Sequence, residues 1–452
     1  MSPETENTEL VTDLDQVSEY LHEGRLEQAQ QLISELHPAE IAHVIESLPA
    51  AEREKIWPWI PSEAEGEVLL HLPDEISSAL LRKMAPEDIV AATETLETDD
   101  LADILPEIPE DTRQELLLSM EMQDRERLES VLSYPEDTAG GLMDLNTIVV
   151  RADISLDVVL RYLRRLGRIP ESTDHLFVTN REGRYLGVLA ISDLLTHDPD
   201  LTVAEVIKQD VEAIPADTPA NKVAALFENR DLISAPVVDE DGKLLGRITI
   251  DDVVDVIRDE ADHSFMSMAG LNEEDDMFAP SLTSARRRMP WLGINLLTAF
   301  LASWVIGLFG ATIEKQVALA ILMPIVASMG GIAGSQTLTI AIRALALGRL
   351  GEHNARMLLS KELGVGLLNG IFWALVIALA AGLWFDDVQL SIVIGLAIIA
   401  NLIIAAAAGA TIPLFLQRIG ADPALAGSVV LTTVTDVVGF FAFLGLATLY
   451  LV

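Results

Sequence analysis

The chain has no cysteine. Disulfides, thiolate metal sites and cysteine nucleophiles are therefore excluded. Basic residues are scarce: 30 Lys and Arg stand against 70 Asp and Glu in 452 residues, a formal charge of −40. No basic face is offered to phosphates, which argues against nucleic acid as a partner. The N-terminal run MSPETENTEL has no basic stretch followed by an apolar one, so it does not read as a signal peptide. The eight histidines form no HExxH pair, and no P-loop or GxSxG turn occurs. An enzyme reading therefore lacks its usual motifs, and the chain is read as a non-enzyme.

What is present divides in two. Residues 286–452 hold nine Lys/Arg and seven Asp/Glu, a net of +2; residues 1–285 hold 21 and 63, a net of −42. An acidic, soluble-looking half is fused to an apolar one, which excludes a simple soluble enzyme. Five stretches of the apolar half can cross a bilayer, roughly 290–310, 316–341, 363–385, 389–416 and 426–451. Arg286, Arg287 and Arg288 precede the first. Arg343, Arg349, Arg356 and Lys361 follow the second, and Arg418 follows the fourth. By the positive-inside rule these flanks are cytosolic, placing the N-terminus inside and the C-terminus outside.

The last span is the most informative. Asp436 lies about ten residues into an apolar helix, where a carboxylate costs roughly 2.5–3.5 kcal/mol on insertion scales. Ser428, Thr432 and Asp436 recur at four-residue spacing and form one polar stripe. The bland reading is an Asp paired with Arg343 or neutralised by burial. The functional reading is a cation or proton pathway. In a symmetric dimer two copies of Asp436 could face one pore. Carboxylates and hydroxyl oxygens there suit magnesium, which keeps several of its waters. The second span reads as broken, with Pro324, Gly330, Gly331 and Gly334 within eleven residues. It either lines a cavity or packs closely through its small residues. Ser335, Gln336 and Thr337 add polar atoms to the same stretch.

In the acidic half, short helical units recur at 37–48, 48–56, 72–81, 85–96, 98–105 and 108–120. Pro or Thr and acidic residues open each unit. They read as an α-superhelix of stacked helices. Residues 138–200 and 201–262 each carry alternating strands about a tight turn (Asp241–Gly242 in the second) between helices. This duplication at a period of about 60 residues resembles a tandem pair of cystathionine-β-synthase (CBS) domains, with Pro236, Gly246 and ITIDDVVDVI matching that pattern.

Taken whole, the chain resembles the MgtE family of magnesium channels and transporters. The stretches that carry the resemblance are YPEDTAGGLM (134–143), PIVASMGGIAGSQTLTIAIRALALG (324–348) and ADPALAGSVVLTTVTDVVGFF (421–441). The resemblance implies a multidomain fold: an acidic α-superhelical N domain (1–135), an α+β CBS pair (136–200 and 201–262), a connecting helix and linker (253–285) and an all-α five-span transmembrane domain (286–452). It implies a homodimer in the cytoplasmic membrane of a prokaryote that conducts magnesium into the cytosol and closes when cytosolic magnesium is high. By that likeness Asp436 matches the pore aspartate, Asp422 an acid at the cytoplasmic mouth, and Ser428 and Thr432 pore-lining positions. Asp99, Asp103, Asp231, Asp252, Asp255 and Glu260 match acids that bind regulatory magnesium. CBS pairs often bind adenosine nucleotides such as ATP, and Thr249-x-x-Asp252 resembles their ribose-contacting motif. Three departures stand out: Ile332 replaces Asn in a Gly-Gly-Asn-Ala-Gly element, Gly427–Ser428–Val429 replaces a Ser-Gly-Pro-like entry, and Pro219, Asn221 and His263 stand where the family has acids.

The sensing logic follows from charge. Without bound cations the carboxylates repel and loosen the acidic domains; bridging divalent ions would compact them and press the 253–285 helix on the pore. The rival readings are a transporter of another divalent cation, such as cobalt, manganese or calcium, proton-coupled exchange through Asp436, or a CBS nucleotide sensor acting on a membrane partner.

Overall fold

The computed structural model describes residues 16–94, 96, 98–120, 122–170, 172–272, 275–351 and 353–451; the side chains of 98, 99, 115, 119, 123, 124 and 126 lie outside that description. The chain forms two compact units, Met1–Glu260 with Glu274–Pro280, and Ala261–Glu273 with Ser281–Val452.

The first unit opens with short helices: α1 Leu26–Glu35, α2 Pro38–Glu46, α3 Ala50–Ile56, α4 Glu65–Leu70, α5 Asp74–Leu81, α6 Pro86–Thr93, α7 Thr98–Ile104, α8 Glu110–Ser119 and α9 Met122–Val131. Their starts follow the local chemistry. Pro38 and Pro86 occupy the first helical turn, where a missing N–H costs nothing. Before α2, Glu40 accepts the His37 N–H at 2.8 Å and closes a capping box. Acidic residues fill most first turns and complement the helix dipole.

Two small sheets follow. In the first, β1 Val149–Arg151 pairs parallel with β2 His175–Thr179 across α10 Leu156–Leu166, and β2 pairs antiparallel with β3 Tyr185–Ala190. Helices α11 Ile191–Thr196 and α12 Val203–Val206 come next. In the second sheet, β4 Ile214–Pro215 pairs parallel with β5 Ser234–Val238 across α13 Ala220–Arg230, and β5 antiparallel with β6 Leu244–Thr249. Both sheets slip register at the same place, Val178/Thr179 and Val237/Val238. Both hairpins turn on a glycine in the left-handed region, Gly183 (φ +81°) and Gly242 (φ +76°). These shared irregularities mark the halves as copies of one plan. One apolar core runs from the helical region (Ile33, Leu69, Ile108) into the second sheet (Phe227, Val237, Ile248).

Helix α14, Ile250–Met268, begins in the first unit and ends in the second. Among the described residues the second unit holds five helices long and apolar enough to cross a membrane: α15 Ser281–Gly307, α17 Ala318–Ala346, α18 Ala355–Phe385, α19 Val388–Arg418 and α20 Pro423–Tyr450, with the short α16 Gly310–Lys315 before α17. The first begins at Ser281, so the Arg triplet lies inside it. Helix α19 lies at the centre, with Asn401 fully buried and its Nδ2 donating to the Val326 carbonyl of α17 at 2.8 Å.

The second span is not broken. It is helical from Ala318 to Ala346 with Pro324 inside. Its glycines serve close packing on one face. A Cβ on Gly330 would lie 2.3 Å from Asn401 Nδ2, and one on Gly334 2.9 Å from Leu431. From α19, a Cβ on Gly409 would meet the Gly334 carbonyl oxygen at 2.7 Å. Small residues let helices approach in a membrane without opening the backbone. Gly331, one position from Gly330, faces open space instead.

Candidate ion pathway and acidic cluster

That open face belongs to a groove of about 960 Å³ between α17 and α20, lined by Ala327, Ser328, Gly331, Ile332, Ser335, Gln336, Thr339, Ile340, Thr432 and Asp436. Helical periodicity explains the split: Gly330, Gly334 and Thr337 are buried, while Gly331, Ser335 and Thr339 face the groove. Asp436 is half-buried there and, among the described residues, has neither an ion pair nor a hydrogen bond. Arg343 is exposed and does not pair with it.

The hydroxyls around it are oriented as acceptors. Thr432 Oγ1 donates to the Ser428 carbonyl at 2.9 Å and Ser335 Oγ to the Gly331 carbonyl at 2.8 Å. Each hydroxyl has one proton, so the oxygen lone pairs are what remains for a ligand. The groove thus presents a carboxylate, hydroxyl oxygens and the Gln336 amide, a donor set for a hard cation or its water shell.

The other expected pore positions lie elsewhere. Ser428 and Asp422 are not among the groove residues. Asp422 caps α20, accepting the N–H groups of Ala424 (2.8 Å) and Leu425 (3.1 Å), and lies 3.4 Å from His263 Nε2. Ile332, expected to matter as a departure, lines the groove and is exposed.

The cytosolic acids gather around α7 and the start of α14. Burial raises the Asp103 carboxyl to about 7, with further repulsion from Asp100, Asp252, Glu136 and Asp255. Burial likewise raises Asp252 to about 7, with Asp251 and Asp100 adding to it. Asp255 is raised, again chiefly by burial, against the opposing pull of His71 and Arg258. Asp103 keeps open surface and Asp252 is half-buried, so solvent screens part of the repulsion at both. Asp103, Asp252 and Asp255 are therefore electrostatically joined. Asp231 is an exposed helix cap in the left-handed region, and Glu260 is exposed on α14. The side chain of Asp99 lies outside the described residues. Sequence reasoning missed Asp100, Glu136 and Asp251. The i, i+3 spacing of Asp100 and Asp103 on α7 was the available signal for one of them. Among the described residues no three such groups stand close enough to hold an ion directly. Thr249 donates to Asp252 Oδ2 through Oγ1 (3.0 Å) and N–H (3.3 Å), so the two halves of the nucleotide-like motif engage each other.

Comparison with known proteins follows the same lines. A divalent cation transporter profile, MgtE, matches residues 323–446, the MgtE intracellular N domain matches 36–137, and the CBS domain matches 139–200 and 203–259. The magnesium transporter MgtE of Thermus thermophilus is 33% identical over 96% of this chain and 98% of its own length. The chain belongs to the MgtE family. The MgtE of Bacillus subtilis is 27% identical over 95% of this chain and 96% of its own. Among solved structures, the cytosolic domain of an Mg2+ channel MgtE in complex with ATP is 34% identical, covering 54% of this chain and 99% of that one, with a TM-score of 0.49. The MgtE transporter match at 323–446 contains every groove-lining residue. The acidic cluster straddles two other matches, with Asp100, Asp103 and Glu136 in the MgtE N domain and Asp252 and Asp255 in the second CBS domain.

Proposed function

We propose that this chain conducts magnesium into the cytosol along the groove beside Asp436, and that cytosolic magnesium closes it through the acidic cluster. The observation that carries the reading is a partnerless carboxylate within a membrane span, facing a groove of acceptor oxygens. Intramembrane acids are costly, and one facing a polar groove is a functional site by default. Six waters at about 30 Å³ each fill about 180 Å³, so 960 Å³ takes a hydrated ion with room to spare. Asp436 would attract the ion's charge, and the hydroxyls and Gln336 would accept from or donate to its waters. No dry cage is needed. The groove is open on one side, where Ile332 and Ile340 are exposed. A second copy of the chain would close it, and the pathway would then carry two copies of Asp436.

In the gating half of the proposal, the clustered acids repel one another when metal is scarce. Magnesium held partly through its own waters, between Asp103 and Asp100 on one side and Asp252 and Asp255 on the other, would relieve that repulsion. Asp99, Asp231 and Glu260 stay in the regulatory set on the family likeness alone, as do Asp422 and Ser428 near the pathway. The basic flanks support an N-terminus in the cytosol and a C-terminus outside, and a prokaryotic cytoplasmic membrane follows from the family likeness alone. An adenosine nucleotide at Thr249 and Asp252 would be a modulator rather than the transported species.

The test is divalent-ion flux into proteoliposomes for the wild type, Asp436→Ala and Asp436→Asn across several metals. Magnesium flux lost in both variants supports the pathway. Undiminished flux in the variants, or none for magnesium in the wild type, overturns it.

A further inference from the structure

A buried ion pair in the first unit joins residues 223 positions apart in sequence. Arg53 on α3 reaches Asp276, with Nη2 to Oδ1 at 2.7 Å and Nη1 to Oδ2 at 2.8 Å. The side chains are only 5% and 8% exposed. The remaining polar atoms are satisfied from the helical region. Arg53 Nε donates to the Ile45 carbonyl at 2.9 Å and Nη2 to the Glu46 carbonyl at 3.1 Å, both on α2. The Asp276 N–H donates to Glu75 Oε2 on α5 at 2.9 Å. Asp276 Oδ1 also accepts the Phe278 N–H at 2.9 Å and so folds the loop around the pair. Arg53 on α3 and Glu75 on α5 thus hold one residue of the loop that leads into the first span, and α2 holds Arg53 in place.

Stability alone does not account for the pair. A desolvated ion pair is often matched by apolar side chains of similar volume, and its attested use is to fix one arrangement. Its place in the chain shows which arrangement is fixed. Residues 274–280 belong to the first unit, and α15 begins at Ser281. The leash from Asp276 to that span is five residues, at most about 18 Å when fully extended. A bidentate, buried anchor followed by so short a leash transmits displacement rather than absorbing it.

We propose that Arg53 and Asp276 form a clamp through which the N domain acts directly on the first span, a second route beside α14 by which ion binding to the acidic cluster reaches the pathway. The inference rests on the gating half of the proposed function. Arg53 is a positioning residue in this scheme and touches no ion.

The test uses the full-length protein in proteoliposomes, with magnesium flux measured as magnesium on the cytosolic face is raised. A second readout is amide hydrogen exchange in residues 275–280. Arg53→Ala and the gentler Asp276→Asn keep their flux at low cytosolic magnesium, which also certifies folding. They need roughly tenfold more magnesium for half-inhibition, within the usual range of coupling between sites. Exchange at Asp276 and Phe278 speeds up, and the reversed pair Arg53→Asp with Asp276→Arg restores both readouts toward wild type. Unchanged inhibition in both single variants, with the wild type inhibited, overturns the clamp and leaves the gating proposal standing. Faster exchange with unchanged inhibition also overturns it, because the loop would then be held without transmitting anything. A wild-type flux that magnesium does not inhibit overturns the gating proposal itself, and the clamp with it.

Discussion

Asp436 sits alone in an apolar helix, whereas Asp103 shares its surroundings with Asp100, Glu136, Asp252 and Asp255. Both acids are under-compensated, for opposite reasons. The first lacks a cation because the membrane half has few charges of either sign. The second lacks one because its neighbours carry the same sign. A passing ion needs a single charge that attracts it without trapping it. A sensing ion needs several carboxylates that are unfavourable together until it arrives. The same residue type does both jobs because its surroundings differ.

The comparison breaks if the two kinds of acid respond alike to neutralisation. The largest effect is expected at Asp436. Its replacement by Asn keeps the shape and removes the charge, and flux is expected to fall about 100-fold, equivalent to about 2.7 kcal/mol of barrier. Neutralising the cluster with Asp103→Asn and Asp252→Asn should act in the other direction. Flux at low cytosolic magnesium persists, while the magnesium needed for half-inhibition rises about tenfold. The metal-free protein should also become more heat-stable, because a like-charge repulsion has been removed. Flux lost in the cluster variants, or retained in Asp436→Asn, would show that the roles are not divided this way.

Much of the fold was legible because each half follows one strong rule. Apolar runs with basic flanks marked five spans, and Pro or acidic residues marked the starts of α2, α3, α5, α6, α7 and α8. The duplicated CBS plan showed in its repeated strands and turns. What misled was Pro324 and the glycines of the second span, read as a break. A membrane helix keeps its backbone bonds because no water replaces them, and its glycines are spent on contact with Asn401 and Leu431. The site was half legible. Asp436 announced itself by its cost, but the groove residues of α17 alternate with packing residues, and only three-dimensional contact separates Gly331 from Gly330. Asp100 offered only its i, i+3 spacing from Asp103, and Glu136 lay in the YPEDTAGGLM stretch with no sensing role assigned to it. The Arg53–Asp276 pair spans too much sequence for any local pattern to show it.

The two units should also differ in what one methyl group does. In the membrane half packing sets the limit. Gly409→Ala would drive a Cβ to 2.7 Å from the Gly334 carbonyl oxygen and 2.9 Å from Thr337 Cβ, so α17 and α19 must separate. Overpacking of this kind costs about 1–3 kcal/mol. A lowered unfolding midpoint in detergent, with reduced flux, is the expected outcome. Gly331→Ala adds the same methyl to open space and should leave the midpoint unchanged. Equal behaviour of the two would show that the groove face is packed rather than open.

In the cytosolic half charge sets the limit, and pH reads it. Asp103 and Asp252 are raised to about 7, well above their ordinary range. Between the unfolded value near 3.9 and about 7 the folded state holds protons that the unfolded state has released. Folding stability from these groups is therefore fully present at low pH and is lost as pH rises toward 7. The slope is at most about 1.4 kcal/mol per pH unit for each proton released, and less for the more open Asp103. Without metal, the unfolding midpoint of the cytosolic unit within the full-length protein should fall between about pH 5 and 7.5 and then level off. Saturating magnesium binds the ionised form, so it should flatten that slope and stabilise most at the alkaline end. A slope indifferent to magnesium would mean the acids repel one another without sensing the ion, and the contrast with Asp436 would narrow to burial alone.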